Sequence, residues 1–285
     1  MSRPHISLIG AHVSIAGGIQ NAPLRAQEEG LETFQCFTRS PQGGAAAPLT
    51  DELVAEFKSN MATAGIDRFH IHAPYYINTA SPEARIRHSS IRILREELER
   101  GSTLGASYVM YHPGSAKDRA LEEAITDASD AIASILKDYK GTCQLLVEIS
   151  AGSGDVLGDT FEEVSAIIEP VKKMYGFGGI CFDTCHAFAS GYDVRTPEAT
   201  KEVLRAFDNT IGLQWLKLSH VNDSKANLGE RKDRHEHIGA GHIGKDGLAN
   251  ILTTDAFRKI DWILETEFEG REGDIKKLRQ IRESK

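Results

Sequence analysis

Cysteine is scarce in this sequence, with four residues (Cys36, Cys143, Cys181 and Cys185) in a chain of 285. A disulfide framework is therefore excluded as the source of stability. Cys143 and Cys181 sit in apolar runs and are expected to be reduced and buried. The Cys181-x3-Cys185 pair has no second pair beside it, so a structural thiolate zinc site lacks its four ligands. Apolar runs are short as well: none approaches the ~18 residues that cross a bilayer, so no membrane partner is expected. The opening MSRPHISLIGAHVS lacks the n-region, h-region and cleavage site of a secretory signal, which points to the cytoplasm. The turn after the first run, GAHVSIAGG, is not the Gly-rich GxGxxG, and there is no low-complexity linker and no shift in composition. One domain spanning 1–285 follows. Positive charge is in deficit too, 33 basic against 41 acidic residues for a formal net charge of −8. Taken alone, that argues against nucleic acid, whose binders cluster basic residues.

What the chain does have is a regular alternation. Short apolar runs recur at 5–13 (HISLIGAHV), 33–37 (TFQCF), 68–72 (RFHIH), 107–112 (SYVMYH), 143–148 (CQLLVE), 179–183 (GICFD), 215–220 (WLKLSH) and 262–266 (WILET). Near-continuous apolarity is what a strand covered on both faces requires. Helical segments lie between them, among them PLTDELVAEFKSNMATAG with Thr50 placed as an N-cap, and TFEEVSAIIEPVKKMYG. Eight alternations predict an α/β fold, a single-domain (β/α)8 barrel, with a doubly wound open sheet as the structural rival.

In such a barrel the chemistry sits at the C-terminal ends of the strands. The residues closing the third to the eighth run are His72, His112, Glu148, Asp183, His220 and Glu265. Each alone reads as a rim or core group. Six in phase do not, because gathered carboxylates repel unless cations stand between them, and no Lys or Arg occupies these ends. The loops add His186, three residues past Asp183, and the Asp233-x-His235 pair, whose alternate side chains share a side in extended chain. These nine histidines and carboxylates, without thiolate, favour Zn2+ over Mn2+ or Fe2+. Nine ligands suit three ions with one carboxylate bridging. His5, His88 and His242 are read as solvated or structural, His70 as packed below His72, His12 as support for the site, and His237 as the rival of His235. Cys181 is read as core.

The stretches CFDTCHAFASGYD (181–193), HVNDSK (220–225), GERKDRHEHIGAGHIG (229–244), YHPGS (111–115), ILET (263–266) and GAHVS (10–14) resemble the endonuclease IV family of apurinic/apyrimidinic (AP) endonucleases. The likeness runs from Gly10 to about Glu267. It implies a TIM barrel with three zinc ions: one on His72, His112 and Glu148; a second sharing Glu148 and adding Asp183, His220 and Glu265; a third on His186, Asp233 and His235. It implies hydrolysis 5′ to an abasic site in double-stranded DNA, leaving a 3′-hydroxyl and a 5′-deoxyribose phosphate, with trimming of blocked 3′ ends. In that scheme Glu148 is the catalytic bridge that positions the attacking hydroxide, and the protein works as a monomer. Two stretches depart from the family pattern. The loop TRSPQGGAAAPL carries Gln42-Gly43-Gly44 where an Arg and a Trp are usual, leaving Arg39, Tyr75 and Tyr76 as the expected DNA contacts. EISAGSG keeps Glu148 but changes its neighbours. The rivals are a metal-dependent sugar isomerase or epimerase of the xylose-isomerase-like barrels, and a non-catalytic binder of damaged DNA. Metal count separates the first and an incision assay the second.

Overall fold

The computed structural model describes residues 7–284. His5 and the expected first residues of the opening strand lie outside the described residues. Eight parallel strands close into one barrel: β1 (Ile9–His12), β2 (Thr33–Cys36), β3 (His70–His72), β4 (Tyr108–Tyr111), β5 (Gln144–Glu148), β6 (Phe177–Asp183), β7 (Leu216–His220) and, after a two-stranded insertion, β10 (Asp261–Leu264). The insertion pairs β8 (Asp223–Ser224) antiparallel with β9 (His235–Glu236). Helices α1 (Ala22–Glu28), α2 (Asp51–Ala64), α3 (Ala84–Leu104), α4 (Leu121–Leu136), α5 (Phe161–Ile168), α7 (Pro197–Thr210), α8 (Gly244–Leu252) and α9 (Arg271–Glu283) surround it, and a short α6 (Thr184–Ala189) sits over its mouth. No helix among the described residues is long and apolar enough to cross a membrane.

The expected cap forms, and two more accompany it. Thr50 accepts a hydrogen bond from the Leu53 amide at 3.3 Å, and Thr160 and Thr196 do the same for α5 and α7. One helix is shorter than its sequence suggests. TFEEVSAIIEPVKKMYG stays regular only to Ile168, because Pro170 has no N–H to continue the i→i−4 ladder.

Strand periodicity builds the mouth. Met110, Leu146, Cys181, Leu218 and Ile263 form a fully buried layer inside the barrel. Side chains two residues further along a strand point the same way. His112, Glu148, Asp183, His220 and Glu265 each follow a member of that layer by two, so they stand directly above it. Gly10 leaves room for the layer, since a Cβ there would come within 2.8 Å of Ile263 Cδ1. In β6 the register slips past Gly178 (Leu145 pairs with Phe177, Leu146 with Gly179), and this bulge sets the phase that turns Cys181 and Asp183 inward.

Candidate metal centre

Glu148 is the hub of the mouth. It is completely buried, and its two carboxylate oxygens meet four imidazoles. Oε2 lies 3.1 Å from His72 Nε2 and 3.5 Å from His112 Nε2, while Oε1 lies 2.7 Å from His220 Nδ1 and 3.5 Å from His186 Nδ1. The same His220 Nδ1 stands 3.3 Å from Glu265 Oε2 and 3.9 Å from Asp183 Oδ2. Two groups therefore share Glu148: His72 and His112 on one flank, Asp183, His220 and Glu265 on the other.

A third group stands beside them. His186 Nε2, Asp233 Oδ1 and His235 Nε2 are mutually 3.3–3.4 Å apart. His186 was expected at the start of a loop and instead lies in α6. Asp183 is the N-cap of that helix, accepting from the His186 amide at 2.9 Å, so strand end and helix fix both residues together. The 229–244 segment is tied down by Asp223. Its buried carboxylate accepts hydrogen bonds from the backbone amides of Ser224, Gly239, Gly241, Ile243 and Gly244, while the β8–β9 pairing places His235.

Electrostatics explain what this arrangement wants. Among the described residues, the ion-pairing partners of Glu148, Asp183, Asp233 and Glu265 are all histidines, with no Lys or Arg among them. Burial alone would raise the pKa of Glu148, yet the surrounding imidazoles, His112 and His220 foremost, hold it well below the usual range. Glu265 is likewise pulled down to about 2 against the effect of burial, chiefly by His220. Burial lowers His112 to about 4, keeping its ring neutral and able to donate a lone pair. Against the effect of burial, Asp183 raises His186, and Cys181 and Glu148 raise His220, well above the ordinary imidazole value, so divalent cations would take the place of ring protons in a donor set of imidazoles and ionised, buried carboxylates. The residues present fit such ions.

A cavity of about 460 Å3 opens over these groups, lined also by Tyr75, Lys225 and Arg234. Tyr75 is 64% exposed, with its ring packed edge-on against Phe37 at 5.5 Å and tilted over His72 at 5.3 Å. Tyr76, beside it, is also exposed. Both are therefore presented on the open face. Arg39 requires a correction: it is 4% exposed, its Nε donates to buried Glu97, and its Nη2 lies 3.0 Å from Glu96. Its charge is consumed inside the protein rather than offered to DNA. Gly43 and Gly44 stand in open space, with nothing within 4 Å of a Cβ at either, so their loop presents no side chain there.

The remaining histidines and thiols fall where the sequence suggested. His70 is fully buried beside Asp261 at 3.3 Å and stacked on Tyr108, facing a separate cavity at the opposite end of the barrel. His237 pairs with Asp274 at 2.6 Å, and His88 and His242 are exposed. Cys185 lies within reach of Asp233 and His235, but its thiol points at the Arg234 carbonyl, 3.6 Å away. Burial pushes that thiol up to about 12, so it stays protonated. Sequence reasoning missed Gln35 and Asn222. Asn222 donates to Asp183 Oδ2 at 2.8 Å and accepts from the Glu265 amide at 2.9 Å. Gln35 was the only polar residue inside the run TFQCF after its opening Thr33, and that was its available signal.

A barrel closed by eight parallel strands, with a histidine–carboxylate centre at their C-terminal ends, defines a class. The family model for the xylose isomerase-like TIM barrel matches residues 24–284. The chain is similar to the probable endonuclease 4 of Halothermothrix orenii, 38% identical over 96% of this chain and 99% of that one. It is similar as well to the probable endonuclease 4 of Methanoculleus marisnigri, 40% identical over 97% and 98%. Among solved structures it resembles endonuclease IV from Thermus thermophilus, with a TM-score of 0.82 at 33% identity, covering 96% and 97% of the two chains. The chain belongs to the endonuclease IV family within that barrel class. A D-tagatose 3-epimerase-like protein superimposes with a TM-score of 0.75 at 19% identity, a likeness of fold alone.

Proposed function

We propose that this protein is a DNA-repair hydrolase that cuts the phosphodiester bond on the 5′ side of abasic sites. The cut leaves a 3′-hydroxyl and a 5′-deoxyribose phosphate, and the same site removes blocking groups from 3′ ends. Three zinc ions per chain are the proposed cofactors. His72, His112 and Glu148 would hold one; Glu148, Asp183, His220 and Glu265 a second; His186, Asp233 and His235 the third. The observation that carries the reading is the convergence of these nine side chains into three groups, two of which share buried Glu148. Relatives bearing the name endonuclease 4 support the same reading, and the sugar epimerase alternative has only a shared fold in its favour.

When bound, such cations lower the pKa of water toward neutrality, so that it can serve as the nucleophile, and they offset charge on the phosphate and on the departing oxygen. The chain's own residues set the geometry. Glu148 holds the two inner groups at a fixed separation, and Asp183 couples the inner groups to the outer one through the first turn of α6. Tyr75 stands at the lip of the cavity, where a base or sugar face can stack. Lys225 and Arg234 line the same cavity and provide local positive charge on a chain of net charge −8.

The test is incision of a labelled duplex containing one abasic site, set beside the same duplex without it, together with elemental analysis of the protein. Cleavage 5′ to the lesion with close to three zinc ions per chain is expected. An intact damaged strand in the presence of zinc overturns the nuclease reading, and one ion per chain at full activity overturns the trinuclear one.

A further inference from the structure

Six of the eight barrel strands supply the proposed ligands; β1 and β2 supply none. Their inward residues at the same level are His12 and Gln35, adjacent in register. Gln35 is completely buried and spans the mouth to residues on β7 and just past β10. Its amide nitrogen is 2.8 Å from Glu265 Oε1 and 3.0 Å from His12 Nδ1, and its carbonyl oxygen is 2.7 Å from His220 Nε2.

These contacts fix the orientation of the amide. A Glu265 that ligates a cation is a carboxylate and can only accept, so the amide group 2.8 Å from its Oε1 must be the NH2. Its second proton goes to His12 Nδ1. The Gln35 oxygen then has only a lone pair to offer, and His220 Nε2 must carry the proton that meets it. With Nε2–H committed to Gln35, the lone pair of His220 is directed through Nδ1, the atom that faces Glu148, Glu265 and Asp183. One side chain thereby sets the tautomer of one ligand and the rotamer of another, both belonging to the same group.

Resting on the metal-centre reading above, we infer that Gln35 is a positioning residue for the ion held by Glu148, Asp183, His220 and Glu265: it presents His220 through Nδ1 and points Glu265 at the same place. Partners of this kind typically change metal affinity about 10- to 100-fold when removed.

The experiment uses the whole chain and zinc alone. Apo-protein, made by chelation and checked for fold by circular dichroism, is titrated with zinc against a chromophoric chelator. Long-range 15N–1H correlation of the histidine rings is recorded on the zinc-loaded form. In the wild type the His220 ring is expected as the Nε2–H tautomer with zinc on Nδ1. Gln35→Met, of similar size, is expected to weaken one ion about 10- to 100-fold and to lose the protected Nε2–H signal. Gln35→Glu separates the two arms: it still accepts from His220 and keeps that signal, but it repels Glu265, so affinity falls alone. Unchanged affinity and tautomer in a folded Gln35→Met protein overturn the inference and leave the nuclease reading intact, as does a wild-type His220 bound through Nε2. A wild-type protein that takes up no zinc overturns both.

Discussion

His220 Nδ1 and Glu148 Oε1 stand 2.7 Å apart across the barrel mouth, although 72 residues and an intervening strand separate them. That contact joins the two halves of the inner centre. Glu148 reaches His72 and His112 with its other oxygen, so it is the residue on which both groups depend.

Glu148→Gln keeps the shape and removes the charge. Incision of abasic DNA is expected to fall by more than about 100-fold, beyond what loss of an outer partner typically costs. Binding measured by gel shift should change far less, because rim contacts remain. Wild-type turnover in this variant would falsify the bridging role.

The three residues Asp183, Cys185 and His186 should separate cleanly in a metal assay. His186→Ala is expected to lose about one ion while retaining the inner pair, and Asp183→Ala to disturb both regions and cost more activity. Cys185→Ser should keep three ions and near-normal incision, since its thiol is protonated and turned toward a carbonyl. Loss of zinc from Cys185→Ser would make the thiol a ligand.

Tyr75 and Arg39 make opposite predictions. Removing an exposed ring that stacks on DNA typically costs ~1–3 kcal/mol of binding, so Tyr75→Ala should raise KM with little effect on melting temperature, and Tyr75→Phe should not. Arg39→Ala leaves buried Glu97 without its cation, a loss of about 3–5 kcal/mol of stability. Its melting temperature should drop sharply. A stable Arg39→Ala protein with weakened DNA affinity would restore Arg39 to the interface.

Acid should loosen the clamp between the C-terminal helix and the barrel floor. Glu32 accepts from the Ile9 amide at 2.9 Å and from Arg282 Nη2 at 2.8 Å. Burial would raise its pKa, but Arg282 and that amide hold it below the ordinary value. A depressed carboxylate stabilises fully above its unfolded pKa of about 4.3, and that contribution disappears as pH falls through the folded value. Glu32→Gln should therefore cost about 1 kcal/mol at neutral pH, and the gap from wild type should close below about pH 4 in thermal melts.

Much of this was written plainly in the chain. Strands buried on both faces read as continuous apolar runs, and a run that ends on His, Glu or Asp shows its mouth residue directly. The six strand-end residues of the mouth were legible for that reason. α6 was not, because TCHAFA is too short to show a period of 3.6 and its cap, Asp183, already read as a strand end. The β8–β9 pair, two residues a side, leaves no pattern either. Arg39 was misread because an arginine after a strand looks like rim charge, while the acid that buries it lies 58 residues away. Gln35 and Asn222 act on other side chains, and such support becomes visible only once the barrel closes.

The two-residue offset between the buried layer and the mouth has a bearing on how the barrel is checked as it forms. A slip of one residue in any of β3 to β7 or β10 turns that strand's proposed ligand from the lumen to the outer face. A misregistered barrel would thus present an incomplete donor set and bind the cations poorly. Cations that bind only the correctly folded state stabilise that state alone. The proposed centre would thereby favour correct strand alignment as well as chemistry, with cation uptake as the mark of a correctly wound chain.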